Sequence, residues 1–254
     1  PKNEAFLKSK PSGKDLVRWK YQRYLKNYLR CVRGVDESVA RLMQELDALG
    51  LSDNTIVIYS SDQGFYLGDH GWYDKRWMYE ESLQMPFIIK WPGVIKPGSL
   101  SESLIQNIDY GPTFLSAAGV PIPEDMQGLS LLPVLKGETP KDWRKSLYYH
   151  YYEYPSVHMV PRQYGIRTER YKLIHFYQFD EWELFDLQED PEELNNLYGK
   201  EKYQSLTADL KKQLAGLRKH YDDRTDISPL PDELRQQILK GEKRRFPNPI
   251  KFVD

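Results

Sequence analysis

Two short apolar runs, Thr55-Ile-Val-Ile-Tyr59 and Phe87-Ile-Ile-Lys-Trp91, bracket a long polar segment from Ser60 to Met85 that is rich in Gly, Asp, His and Lys. Continuous β-branched runs of this length are the mark of strands buried on both faces. The first run follows directly on a stretch from Asp15 to about Leu49 in which Leu16, Trp19, Leu25, Leu29, Val32 and Val39 recur at helical spacing. Gly34 is a potential break in that helix, and Gly50 is well placed to end it. A long helix feeding a buried strand predicts an α/β domain, here part of a mixed, mostly parallel sheet flanked by helices. The polar segment then falls at a strand end, where α/β folds build their sites.

The texture changes near residue 140. Leu147–Tyr152, Tyr164–Thr168, Tyr171–Tyr177 and Glu183–Asp186 read as short Tyr-rich strands, with Glu169-Arg170 as a tight turn and a helix from about Tyr203 to Tyr221. They predict a smaller C-terminal subdomain with a four-stranded antiparallel sheet and a helix. The domain reading is therefore 1–140 for part of the α/β domain, 141–221 for the antiparallel subdomain, and 222–254 for a charged, Pro-containing tail.

Composition narrows the partners. Formal net charge is -1, which supplies no global field for nucleic acid or an anionic membrane. No apolar stretch approaches the roughly 20 residues needed to cross a bilayer. With a single cysteine there is no intramolecular disulfide framework and no multi-cysteine metal cage. The chain opens on Pro-Lys-Asn rather than methionine, and the expectation is that it is part of a longer protein.

The chemistry lies in SSDQGFYLGDHGWYDKRWMYEE, Ser60 to Glu81. Asp62 and Gln63 leave a strand as adjacent oxygen donors, a carboxylate and an amide carbonyl, which suit a hard cation such as Ca²⁺ or Mg²⁺ better than zinc. Two donors are too few for a Ca²⁺ site, and on chemistry alone the plainer reading, Asp62 capping a turn before Gly64, has the advantage. Lys75 supplies a compact positive charge for an oxyanion. His70 can donate a proton to a leaving oxygen. Glu80 or Glu81 can orient Lys75 or simply start the next helix. A metal beside a cation is the equipment for stabilising a transferring sulfuryl or phosphoryl group.

The ordered string S-D-Q-G-F-x-L-G-D-H-G-x-x-x-K-x-x-x-Y-E-E, followed by M-P-F-I-I-x-W-P-G, resembles the type I, formylglycine-dependent sulfatases of the alkaline-phosphatase superfamily. The resemblance extends through DESVARLMQELDALGLSDNTIVIYSSD before the loop, and NIDYGPTFLSAAGVPIPEDMQGLSLLPVLKG and WELFDLQEDPEELNNL after it. It implies that Asp62 and Gln63 are ligands of one Ca²⁺ and that Lys75 contacts the sulfate. His70 occupies the family's glycine-flanked histidine position. His158 and Arg162 lie in a region that borders the substrate pocket in this family, so they are candidates for sugar contact; solvated loop residues is an equal reading.

The family's nucleophile, a Cys or Ser converted to formylglycine in C/S-x-P-S/A-R, is absent here, as is its upstream Asp-Asp pair. Cys31, in Leu29-Arg-Cys-Val-Arg33, lacks the motif and reads as a helix-packing residue. The resemblance therefore implies the C-terminal part of a sulfatase, inactive alone, whose main partners are a sulfated sugar and the N-terminal part of the same enzyme. It further implies a periplasmic or secreted location and a glycan substrate such as N-acetylglucosamine-6-sulfate or another glycosaminoglycan or mucin sulfate. Two other readings stay open: a phosphodiesterase or phosphonate hydrolase of the same superfamily, and a non-catalytic module that binds sulfated glycans.

Overall fold

The computed structural model describes residues 10–154 and 158–240, together with Glu4 and Lys8. The part of the tail beyond residue 240 lies outside these residues. Contacts group the chain into two units: residues 1–59, 65–74 and 87–93 form one, and residues 60–64, 75–86 and 94–254 the other.

The first unit is built on helix α1, Gly13–Ala48. Asp15 in its first turn complements the helix dipole, and the helix stops where Gly50 takes φ +66°. Gly34 does not interrupt it, because neighbouring residues hold the helical hydrogen bonds through a single glycine at a cost of about 1 kcal/mol. No α1 residue is buried, and Cys31 is exposed rather than packed. Strands β1, Val57–Ser60, and β2, Phe87–Lys90, pair with each other.

The second unit carries the developed sheet. The short helices α2, Glu80–Leu83, α3, Tyr110–Ala117, and α4, Leu132–Leu135, precede strands β3, Ser146–Tyr151, β4, Gln163–Thr168, β5, Tyr171–Phe176, and β6, Glu181–Asp186. Helices α5, Gln204–His220, and α6, Asp232–Leu239, follow. The four strands run β3-β4-β5-β6, antiparallel throughout. The sheet that is well developed in this chain is thus the antiparallel one, and the expectation of a mostly parallel sheet is not met: β1 and β2 form a sheet of two strands that is itself antiparallel.

Period-two alternation gives this sheet two different faces. Tyr164, Ile166, Leu173 and Leu184 point to one side, where they pack with Leu210 and Leu214 of α5. The alternate residues, among them Gln163, Arg167, Lys172, Phe176 and Phe185, make their contacts with the segment Arg76–Glu80 instead. Before the sheet, Asp109 is fully buried and accepts both guanidinium nitrogens of Arg144 as well as the Gln106 and Leu129 amides, which ties the connector down. No described helix is long and apolar enough to cross a membrane.

Candidate functional site

The site begins where β1 ends. Ser60 Oγ lies 2.8 Å from the Tyr110 hydroxyl, and Ser61 Oγ donates to the Gln63 carbonyl at 2.7 Å, turning the chain out of the strand. Asp62 is exposed and Gln63 half-buried, and Gln63 Nε2 lies 3.4 Å from Asp62 Oδ2. The Gln63 amide nitrogen thus faces the carboxylate of its neighbour. Their donor chemistry fits a hard divalent cation, although they are only two of the oxygens it takes. Among the described residues, no three His, Cys, Asp or Glu side chains converge to hold a metal ion.

Gly64 comes next, and its N–H donates to the Ser82 carbonyl at 2.8 Å. The approach is so close that a Cβ at Gly64 would fall 2.0 Å from the Glu81 carbonyl oxygen, so only glycine fits. Lys75 is half-buried, and its carbonyl accepts a 2.5 Å hydrogen bond from Ser82 Oγ. Its ammonium makes no hydrogen bond or ion pair among the described residues. Neither Glu80 nor Glu81 is paired with it. Glu80 opens α2 and accepts instead from Lys172 at 2.8 Å and Arg167 at 3.0 Å.

His70 belongs to the first unit, where Tyr66 N–H to Asp74 (2.7 Å) and Gly68 N–H to Trp72 (2.9 Å) close its loop into a tight hairpin. It takes φ +54° inside the single turn Asp69–Gly71, with its ring edge-on to Tyr66. His158 is exposed, beside a segment outside the described residues. Arg162 is buried, and its Nε donates to the Tyr152 carbonyl at 2.7 Å, so it ties the two ends of that connection together.

Several residues essential to this geometry had no signal in the sequence. Lys172 and Glu193 are fully buried at their side chains and pair at 2.7 Å, and Glu193 also accepts the Glu80 amide at 2.7 Å. Burial pushes the Glu193 carboxyl up to about 7, and Lys172 opposes the shift. Burial would also raise Glu80, but Lys172 and Arg167 hold it below its ordinary value. Glu193 closes the string Asp190-Pro-Glu-Glu193 and takes the uncommon φ of +51°. Away from the loop, His150 is buried against Asp223 at 2.5 Å. Burial keeps it neutral to lower pH than usual, in keeping with a structural histidine.

The adjacent oxygen donors Asp62 and Gln63 and the half-buried Lys75 lie in one unit of the chain. The chain belongs to the sulfatase family: the model for N-sulphoglucosamine sulphohydrolase, C-terminal, matches residues 68–220, and the general sulfatase model matches residues 2–120. An N-acetylglucosamine-6-O-sulfatase of Bacteroides thetaiotaomicron is 50% identical over 246 residues, which are 96% of this chain and 43% of that protein. A protein solved in complex with its substrate D-glucosamine-2-N,6-O-disulfate superposes with a TM-score of 0.84 at 52% identity, covering 87% of this chain and 45% of that one. A phosphonate monoester hydrolase from Silicibacter pomeroyi gives a TM-score of 0.66 at 29% identity, covering 76% of this chain and 41% of that one. The chain thus spans less than half the length of these relatives.

Proposed function

We propose that the enzyme carrying this chain hydrolyses sulfate esters on a glucosamine-containing glycan, with N-acetylglucosamine-6-sulfate as the preferred unit. The observation that carries this reading is half-buried Lys75, whose ammonium has no hydrogen-bond or ion-pair partner among the described residues, in the same unit as the Asp62–Gln63 pair. Water is consumed, its oxygen ending on sulfur and a proton on the released alcohol. Lys75 holds a sulfate oxygen, and its charge counts for most where negative charge grows in the transition state. Asp62 and Gln63 would bind Ca²⁺, which when bound supplies charge stabilisation at the sulfate; the remaining ligands and the formylglycine nucleophile come from the part of the enzyme outside this chain. His70 is assigned to proton donation to the leaving oxygen. Exposed His158 is assigned to sugar contact, with Arg162 bracing its segment. The chain by itself is inactive, and the enzyme works in the periplasm or outside the cell.

The likeness to a phosphonate monoester hydrolase supports a second reading, cleavage of a phosphonate or phosphodiester. Both are tested in the full-length enzyme with a sulfated glucosamine and a phosphonate monoester side by side. The sulfatase reading expects faster turnover of the sulfate ester and a loss of about 100- to 1,000-fold in Lys75→Ala. Faster phosphonate turnover would replace it with the second reading, and near-normal sulfatase activity in Lys75→Ala would remove Lys75 from its role.

A further inference from the structure

We propose that Ser82 is a positioning residue that holds Lys75 in register with the Asp62–Gln63 pair; this rests on the reading of Lys75 as the cation that holds the sulfate. Ser82 is buried within α2 and uses its hydroxyl and its carbonyl in two directions. Its hydroxyl donates to the Lys75 carbonyl at 2.5 Å, and its own carbonyl accepts the Gly64 N–H at 2.8 Å. One residue therefore joins the backbone bearing the cation to the backbone that immediately follows the oxygen pair. The second bond allows little slack, because Gly64 lies against the Glu81 carbonyl closely enough to exclude a Cβ.

The turn that carries Ser82 is itself fixed from below. The Glu80 amide is held by Glu193, the Glu80 carboxylate by Lys172 and Arg167, and the Tyr79 hydroxyl by Glu183 at 2.8 Å. One turn earlier, the Met78 amide donates to Gln163 Oε1 at 3.3 Å, and Gln163 Nε2 donates to the Arg76 carbonyl at 3.1 Å. These partners come from β4, β5, β6 and the loop holding Glu193. The antiparallel sheet is thus the frame, and Ser82 transmits its position to Lys75.

Replacing Ser82 by alanine removes only the hydroxyl bond. Alanine is a good helix former, and the residue-82 carbonyl still receives Gly64. In the full-length enzyme, Ser82→Ala is expected to lower kcat about 10- to 100-fold, the range typical of a reacting group displaced by a fraction of an ångström. The inhibition constant of inorganic sulfate should rise in parallel while thermal stability changes little. The decisive measurement is the cycle with Lys75→Ala: if Ser82 acts through Lys75, Ser82→Ala costs nothing further in that background. Should the alanine variant fold poorly, Ser82→Cys weakens the same bond with little change of shape and is expected to give the same non-additivity. Losses that multiply, or Ser82→Ala within twofold of wild type, would overturn the assignment of Ser82 alone. Near-normal turnover by Lys75→Ala itself would instead overturn the reading beneath it.

Discussion

Lys75 is half-buried and its ammonium meets no carboxylate among the described residues, an open electrostatic demand, and an anion that meets it stabilises the folded state. Inorganic sulfate is therefore expected to raise the unfolding temperature of the full-length enzyme, by an amount equivalent to about 2.7 kcal/mol at 100 times its dissociation constant. The increment should vanish in Lys75→Ala; an equal increment in both proteins would place the anion elsewhere. His175 makes the opposite kind of demand. Its ring stacks on Trp182 at 3.8 Å, and burial lowers it from 6.5 to about 4. The neutral ring is thus the folded form, and below pH 6.5 the unfolded chain takes up a proton before the folded one does. Its contribution is present in full above pH 6.5 and lost as pH falls toward 4, on the order of 1–3 kcal/mol. Glu193, raised from 4.5 to about 7, acts in the reverse sense across part of the same window. The test is accordingly the difference between wild type and His175→Phe, which keeps the stack and removes the titration. The gap in unfolding free energy should change between pH 7 and pH 4.5, and a constant gap would contradict the burial argument.

Among the elements, β4 and β5 show what was readable and what was not. Their apolar alternation was legible, as were the Glu169-Arg170 turn, α5 and the two strands around the loop, because each is a local pattern of period two or 3.6. The family was legible through the ordered motif of the loop. The polar face of the sheet was not, because its meaning depends on partners far away in the sequence: Arg167 and Lys172 stand opposite each other in the ladder and both reach Glu80. Read locally, Lys172 is a charge in a strand and Glu80 a helix start. Together with Glu193 they form a buried cluster in which one fully buried lysine serves two carboxylates. Removing its positive charge strands Glu193 and leaves Glu80 with Arg167 alone, so Lys172→Ala is expected to cost about 3–5 kcal/mol in urea unfolding. Lys172→Ala combined with Glu193→Ala should recover part of that loss, since the stranded charge is gone. A double variant weaker by the sum of the two single effects would show that the cluster is not coupled.

At the scale of the whole molecule, helix α1 stands apart from the sheet in how it is supported. It runs for 36 residues, yet none is buried, and Val17, Leu29 and Leu42 keep 66%, 53% and 55% of their surface exposed. A helix of that length draws its stability mainly from packing an apolar stripe rather than from propensity. In the antiparallel unit, by contrast, Ile166, Leu173 and Leu184 are fully enclosed between the strands and α5. The sequence reading took the chain as the C-terminal part of a sulfatase, and the chain spans less than half the length of the relatives it matches. The two regions should therefore open with different free energies, and the difference should depend on what accompanies the chain. Expressed by itself, the 254-residue chain is expected to be cut by a low dose of protease within α1 while the segment from β3 through α5 survives. In the full-length enzyme the same dose should leave α1 intact. Equal resistance of α1 in both settings would mean that the exposed stripe needs no cover, and the case for a completing N-terminal part would then rest on the site chemistry alone.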